Sequence, residues 1–234
     1  MNMSRVLKYD MLFQFRHGFY YAYLLVSVLY VILIRSLPSS VSPTVTTLLI
    51  FSDTSILGFF FIGGIVLLEK GQHTLECLFV TPFQMNHYFV SKIATLTAIA
   101  VCSSLLILIC GHGFTTGLWQ FLTGVVLSSI FFTLIGFTLS SRVEDVNHYL
   151  IQSFLYTIPF ILPILGFLDI VNTPLYYLLP TQASLILLHA PFQPPTFGET
   201  VYAFATLVIW TGLAYLWARN WFYKYVILNI GGAK

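Results

Sequence analysis

The sequence predicts an all-α integral membrane protein with six transmembrane helices, an N-terminal interfacial helix and short re-entrant helices before the last span. Two observations carry this expectation. Of the 234 residues, 58% are hydrophobic and 8% charged, with a mean hydropathy of +0.88, whereas about a quarter of the residues of a soluble globular domain are charged. The charges also gather between apolar runs. They leave six segments near residues 18–35, 47–68, 92–112, 118–140, 148–171 and 200–218 that reach or approach the ~17–25 residues a spanning helix needs.

Charge by side gives the expected orientation, because short loops rich in Lys and Arg stay in the cytoplasm. Arg5, Lys8, Arg16, Lys70, Lys92, Arg142, Arg219, Lys224 and Lys234 fall on one side of the six spans and only Arg35 on the other, which puts both termini inside. The net charge of +2 expresses that asymmetry. No basic patch is dense enough to track phosphates, so nucleic acid is not an expected partner.

The elements follow in order. Leu7, Met11 and Phe15 recur at i, i+4, i+8 with Arg5, Lys8 and Arg16 nearby, an imperfect amphipathic stripe suited to the bilayer surface. The first span has a charged, roughly amphipathic segment before it and no small-residue cleavage site, so it is expected to remain as an anchor. Tyr20, Tyr21 and Tyr23, with Trp217 and Trp221 of the last span, suit the membrane interface. Small residues repeat at spacing four in the fourth span (Gly124 with Ser128, Ser129 with Thr133, Gly136 with Ser140), a pattern that lets helices approach closely. Ser141 and Glu144 form a capping-box pattern before the fifth span. Pro159 and Pro163 remove backbone donors within that span and predict a kink. Residues 172–199 are too apolar from Leu175 to Phe192 for an exposed loop, yet Pro180 and Pro191 cut them into pieces too short to cross; they should dip into the outer leaflet, with Thr181 capping the second piece. No repeat, low-complexity tract or linker divides the chain, and 1–234 reads as one transmembrane domain.

The segment 67–92, LLEKGQHTLECLFVTPFQMNHYFVSK, is the most informative. It is polar and ordered-looking between two spans. Gly71 and Pro82 break the flanking periodicity, while Leu75, Leu78 and Phe79 recur at i, i+3, i+4, the stripe of a short helix that must lie against something. Thr81, Pro82 and Gln84 stand as N-cap, N1 and N3 of the next helix. Lys92 opens the third span, where a long side chain can snorkel and a single exposed charge matters little.

The positions Glu69, Gly71, Thr74, Leu75, Glu76, Leu78, Thr81, Pro82 and Lys92 resemble the first intracellular loop of ABC-2 type transporter permeases, and the wider chain looks like the branch labelled fluoroquinolone export permease. The resemblance implies a permease of six spans with an N-terminal elbow helix and a re-entrant helical pair before the last one, in a bacterial cell membrane. It also implies a second permease copy or paralogue, and a separate ABC ATPase subunit carrying ATP and Mg. The loop, with Phe79, would then couple that ATPase to transport. An ABC-2 permease for haem, lipid or polysaccharide, or a membrane-embedded enzyme, is the alternative.

Chemistry elsewhere is sparse. No phosphate-binding Gly-x-x-x-x-Gly-Lys-Ser/Thr loop, Gly-x-Ser-x-Gly or His-Glu-x-x-His occurs, so neither a nucleotide site of that type nor a common hydrolase handle is present. The six histidines are never i, i+4 to one another or placed with a carboxylate at ligand spacing, so no metal site is expected. The three cysteines lack the paired placement of a disulfide framework. Asp53 is the one carboxylate expected inside a span, some six residues (~9 Å) from its outer end. Such a group is either functional or an interfacial N-cap of a span that starts at Thr54. With Phe59, Pro159 and Pro163 it forms a candidate translocation path.

Overall fold

The computed structural model describes residues 3–80, 85–113 and 115–228. Helix α1 (Met3–Arg16) leads into the first span, α2 (Phe19–Ser36). The second span, Ser42–Gly71, comprises α3 (Ser42–Ser52), a π-helical turn (Asp53–Leu57) and α4 (Gly58–Gly71). The short α5 (Thr74–Val80) precedes α6 (Met85–His112), α7 (Leu118–Arg142) and α8 (Val146–Phe167). A 3-10 turn (Pro174–Leu178) and α9 (Pro180–His189) follow, before α10 (Phe197–Phe222) and a final π turn (Tyr223–Ile227). All regular structure among the described residues is helical, and six helices are long and apolar enough to span a membrane. Six crossings bring the chain back to the end it started from, and Phe79 of α5 lies 5.8 Å from Phe222 of α10, ring centre to ring centre. We call that end basal.

The core sits on α7, whose most apolar stretch is 72% buried, against 17% for α2 and α8. Its small residues allow this. A Cβ on Gly136 would stand 2.7 Å from the Phe59 carbonyl oxygen, and one on Gly124 would stand 2.7 Å from Leu187 Cβ. Ser128 Oγ donates to Ser184 Oγ of α9 at 2.7 Å, so the α7–α9 seam carries a polar tie as well as close packing. Gly136→Ala should therefore destabilise the protein by roughly 1–3 kcal/mol, since the new Cβ would stand 2.4 Å from Ile62 Cγ2 and also meet the Phe59 backbone, which cannot turn aside. Gly212→Ala on α10 meets nothing within 4 Å and is the control. Equal thermal midpoints for the two variants in detergent would remove Gly136 as a close-contact point.

Several boundaries and caps differ from the sequence expectation. The third span starts at Met85, so Lys92 lies two turns inside the helix rather than at its opening. The fifth ends at Phe167, where the chain turns through Asp169 at φ 56°, and α8 runs through both Pro159 and Pro163. Asp145, not Ser141, is the N-cap residue of α8; Ser141 Oγ donates instead to Thr138 O within α7, because α7 extends to Arg142. Thr181 does not cap α9: Leu179 and Pro180 hold the first positions, and the Thr181 hydroxyl is buried without a partner. A complete capping box is formed by Thr196 and Glu199 at α10, a Thr-x-x-Glu pattern legible in the sequence.

Candidate functional site

At the basal end, α1, α4 and α6 meet around one ammonium group. Lys92, 1% exposed, donates to Asp10 Oδ1 at 2.7 Å and to Glu69 Oε1. Tyr88 OH donates to Glu69 Oε2 at 2.5 Å, Ser91 Oγ donates to Asp10 Oδ2, and Gln14 Nε2 donates to Thr95 Oγ1 at 2.8 Å. The rings of Phe13 and Tyr88 each lie 5.4 Å from the ammonium nitrogen. A lysine two turns inside a span cannot snorkel to water, so it is buried with two carboxylates that share its charge. This corrects the reading of Lys92 as a side chain that snorkels to the interface. Asp10, Tyr88 and Ser91 were not singled out from the sequence; the signal for Asp10 was that it is the only acid among the basic residues of α1.

The loop helix α5 rests on this assembly. Leu75 is 2% exposed, and Leu78 and Phe79 are partly buried against the main core, with Phe79 5.9 Å from Tyr88. The apolar stripe is thus covered by this chain's own residues at Leu75 and in part at Leu78 and Phe79. Gly71, Gln72, Thr74 and Cys77 are exposed, and Glu76 lies on the same helix. Thr81, Pro82 and Gln84 lie outside the described residues. Beside the loop, Lys70 Nζ donates to the carbonyls of Ser140, Ser141 and Val143 at 2.8, 2.8 and 2.9 Å, satisfying the last turn of α7 and meeting the negative end of its dipole.

Asp53 is fully buried at the start of the π turn. Since α3 already begins at Ser42, the interfacial N-cap reading does not hold. Its Oδ2 lies 2.6 Å from Ser103 Oγ of α6, which lies 2.7 Å from Ser27 Oγ of α2. Phe59, also fully buried, stacks on Tyr149 of α8 at 5.7 Å, and Tyr149 OH donates to the Phe59 carbonyl at 2.7 Å. Of the two prolines on α8, Pro163 is buried and Pro159 exposed. The candidate path residues are thus not brought together: Asp53 sits against α2 and α6, Phe59 packs on Tyr149 at the α4–α8 contact, and Pro159 and Pro163 lie ten and fourteen residues further along α8.

Six apolar spans, with the buried ion pairs of the described residues gathered at their basal end and one buried carboxyl group, Asp53, further in, define a polytopic membrane protein. A profile of the fluoroquinolones export permease protein family matches residues 1–230, and the chain belongs to that family. Two relatives from strains of Mycobacterium tuberculosis, each named a fluoroquinolones export permease protein, are 26% identical over 229 residues, 96% of this chain and 96% of each relative.

Proposed function

We propose that the chain is the membrane subunit of an ATP-driven exporter, paired with a second permease copy or paralogue and with a separate ATPase that carries ATP and Mg. One observation supports this most directly: a short helix fixed at the basal end by its apolar side, with Gln72, Thr74 and Cys77 left facing outward. A helix held in this way can transmit a push from a partner, and the sequence has no phosphate-binding loop of its own. The relatives' name points to amphipathic aromatic cargo such as a fluoroquinolone. The charge asymmetry supports a basal end in the cytoplasm of a bacterial cell, with α1 along the inner leaflet and α9 dipping into the outer one. The path would run past Asp53 and Phe59 and open where α4 and α8 part, with Pro159 and Pro163 of α8 as its hinge.

Cys77 tests the coupling role without an introduced label. Coexpressed with its ATPase, the complex should yield a thiol crosslink from Cys77 to that subunit, and Cys77→Arg should lower drug-stimulated ATP hydrolysis several-fold while the permease remains folded. A variant complex that hydrolyses ATP and exports a fluoroquinolone like the parent would refute the coupling role.

A further inference from the structure

The contacts around Asp53 raise a proton-counting problem. Three short oxygen–oxygen separations run in series: Asp53 Oδ2 to Ser103 Oγ at 2.6 Å, Ser103 Oγ to Ser27 Oγ at 2.7 Å, and Ser27 Oγ to the Tyr23 carbonyl at 2.7 Å. Each hydroxyl has one proton to donate, and the carbonyl has none. Two serines therefore supply two protons for three bonds. The third can come only from the carboxyl group at the other end of the chain.

We infer that Asp53 is a buried proton-binding site, held as the neutral carboxylic acid: its Oδ2 hydroxyl donates to Ser103, Ser103 donates to Ser27, and Ser27 donates to the Tyr23 carbonyl. With Asp53 ionised, Ser103 would turn its proton to the carboxylate, and Ser27 and Ser103 would face each other across 2.7 Å with a single proton left for two acceptors. A second observation agrees. Asp53 Oδ1 has no partner, and the Tyr23 hydroxyl, one helical turn from Ser27, is buried and also unpartnered. A bare carboxylate oxygen inside a membrane protein would be costly to leave beside an idle donor, whereas the carbonyl oxygen of an acid is much less so.

Among the described residues, no cationic side chain lies close enough to offset an ionised Asp53. The turn packs against α3, α4, α6 and α7. Lys92 on α6 is eleven residues from Ser103, ~16 Å along the helix, and His112 is nine, ~13 Å. Glu69 and Lys70 are more than four turns away on α4, Arg142 is at the basal end of α7, and α3 carries no ionisable side chain. On α2, Arg35 is eight residues from Ser27, ~12 Å, and donates to the Cys110 carbonyl at 2.9 Å. Tyr23 is an ionisable neighbour and a neutral donor, and Cys102 beside Ser103 on α6 and Tyr30 one turn from Ser27 on α2 bring no positive charge.

Infrared difference spectroscopy of the purified full chain in lipid nanodiscs tests the assignment. Near neutral pH, parent minus Asp53→Asn should contain one carboxylic-acid carbonyl band, shifted on transfer to deuterium oxide. Ser103→Ala, which retains the acid but removes its acceptor, should move that band to higher frequency. If the difference with Asp53→Asn lies wholly in the carboxylate stretches, the proposal is overturned. It is equally overturned if sodium chloride raises the parent's melting temperature above that in potassium chloride with no acid band present, which would make the site a metal-cation site. Should Asp53→Asn fail to fold, the acid band in the parent and its shift in Ser103→Ala decide alone.

Discussion

Lys92→Met is expected to destabilise the protein by ~3–5 kcal/mol, because it leaves the buried carboxylates of Asp10 and Glu69 with no opposing charge. For a chain of this size that corresponds to a fall of ~6 °C or more in the thermal midpoint. A lysine that reached water at the interface would cost under ~1 kcal/mol on removal, so the measurement separates the two descriptions. Neutralising all three groups together (Asp10→Asn, Glu69→Gln and Lys92→Met) should recover much of the loss, since an apolar or neutral replacement of a buried ionic cluster is often close to neutral. A triple variant no more stable than the single one would mean that the lysine acts through its hydrocarbon packing and not through its charge.

Lys70→Met should cost ~2–4 kcal/mol. Three carbonyls at the end of α7 lose a charged donor, each such bond contributing ~1.5–3 kcal/mol before non-additivity, and the helix terminus loses a cation placed against its dipole. The damage should be local in its first stage. Amide exchange at the last turn of α7, next to Ser140, Ser141 and Val143, should quicken in Lys70→Met before the rest of the bundle is affected. Unchanged exchange there, with a normal melting temperature, would contradict the capping role of this lysine.

The six spans were legible because bilayer thickness demands long apolar stretches, and nothing else in a short chain produces them. Partnerships among polar residues were not. Lys92 read as the first residue of a span because charges usually end apolar runs; the structure starts α6 at Met85, and the same residue becomes an interior group that needs Asp10 from 82 positions away. The stripe of Leu75, Leu78 and Phe79 was correct as periodicity, yet periodicity states only that a face must be covered and not by what. Here Leu75 is covered by this chain, and the outward face is the polar one.

Asp53 illustrates the opposite case. Its place inside a span was one of two readings, and burial selects it, but the serines that hold it come from α2 and α6, 26 and 50 residues away. Ser27 and Ser103 sit in apolar runs with no pattern to mark them. Phe59, expected along the candidate path, is instead sealed in the core, 0% exposed. Its stacking on Tyr149 and the close approach of Gly136 to its backbone account for this.

The π turn at Asp53–Leu57 changes how the second span should be thought of. A wider turn accommodates about one residue more than an α-turn would, and a residue corresponds to ~100° of rotation about the axis. α3 and α4 are therefore one rod in length but two in azimuth: the sector that α3 presents at Thr46 and Thr47 is not the one that a uniform helix would carry on to Phe59, Glu69 and Lys70. Both ends of the span are thus aligned by a single surplus residue. Excising one residue from this turn would leave the membrane thickness almost unchanged, yet would swing Glu69 away from Lys92 and Lys70 away from the end of α7 in the same motion.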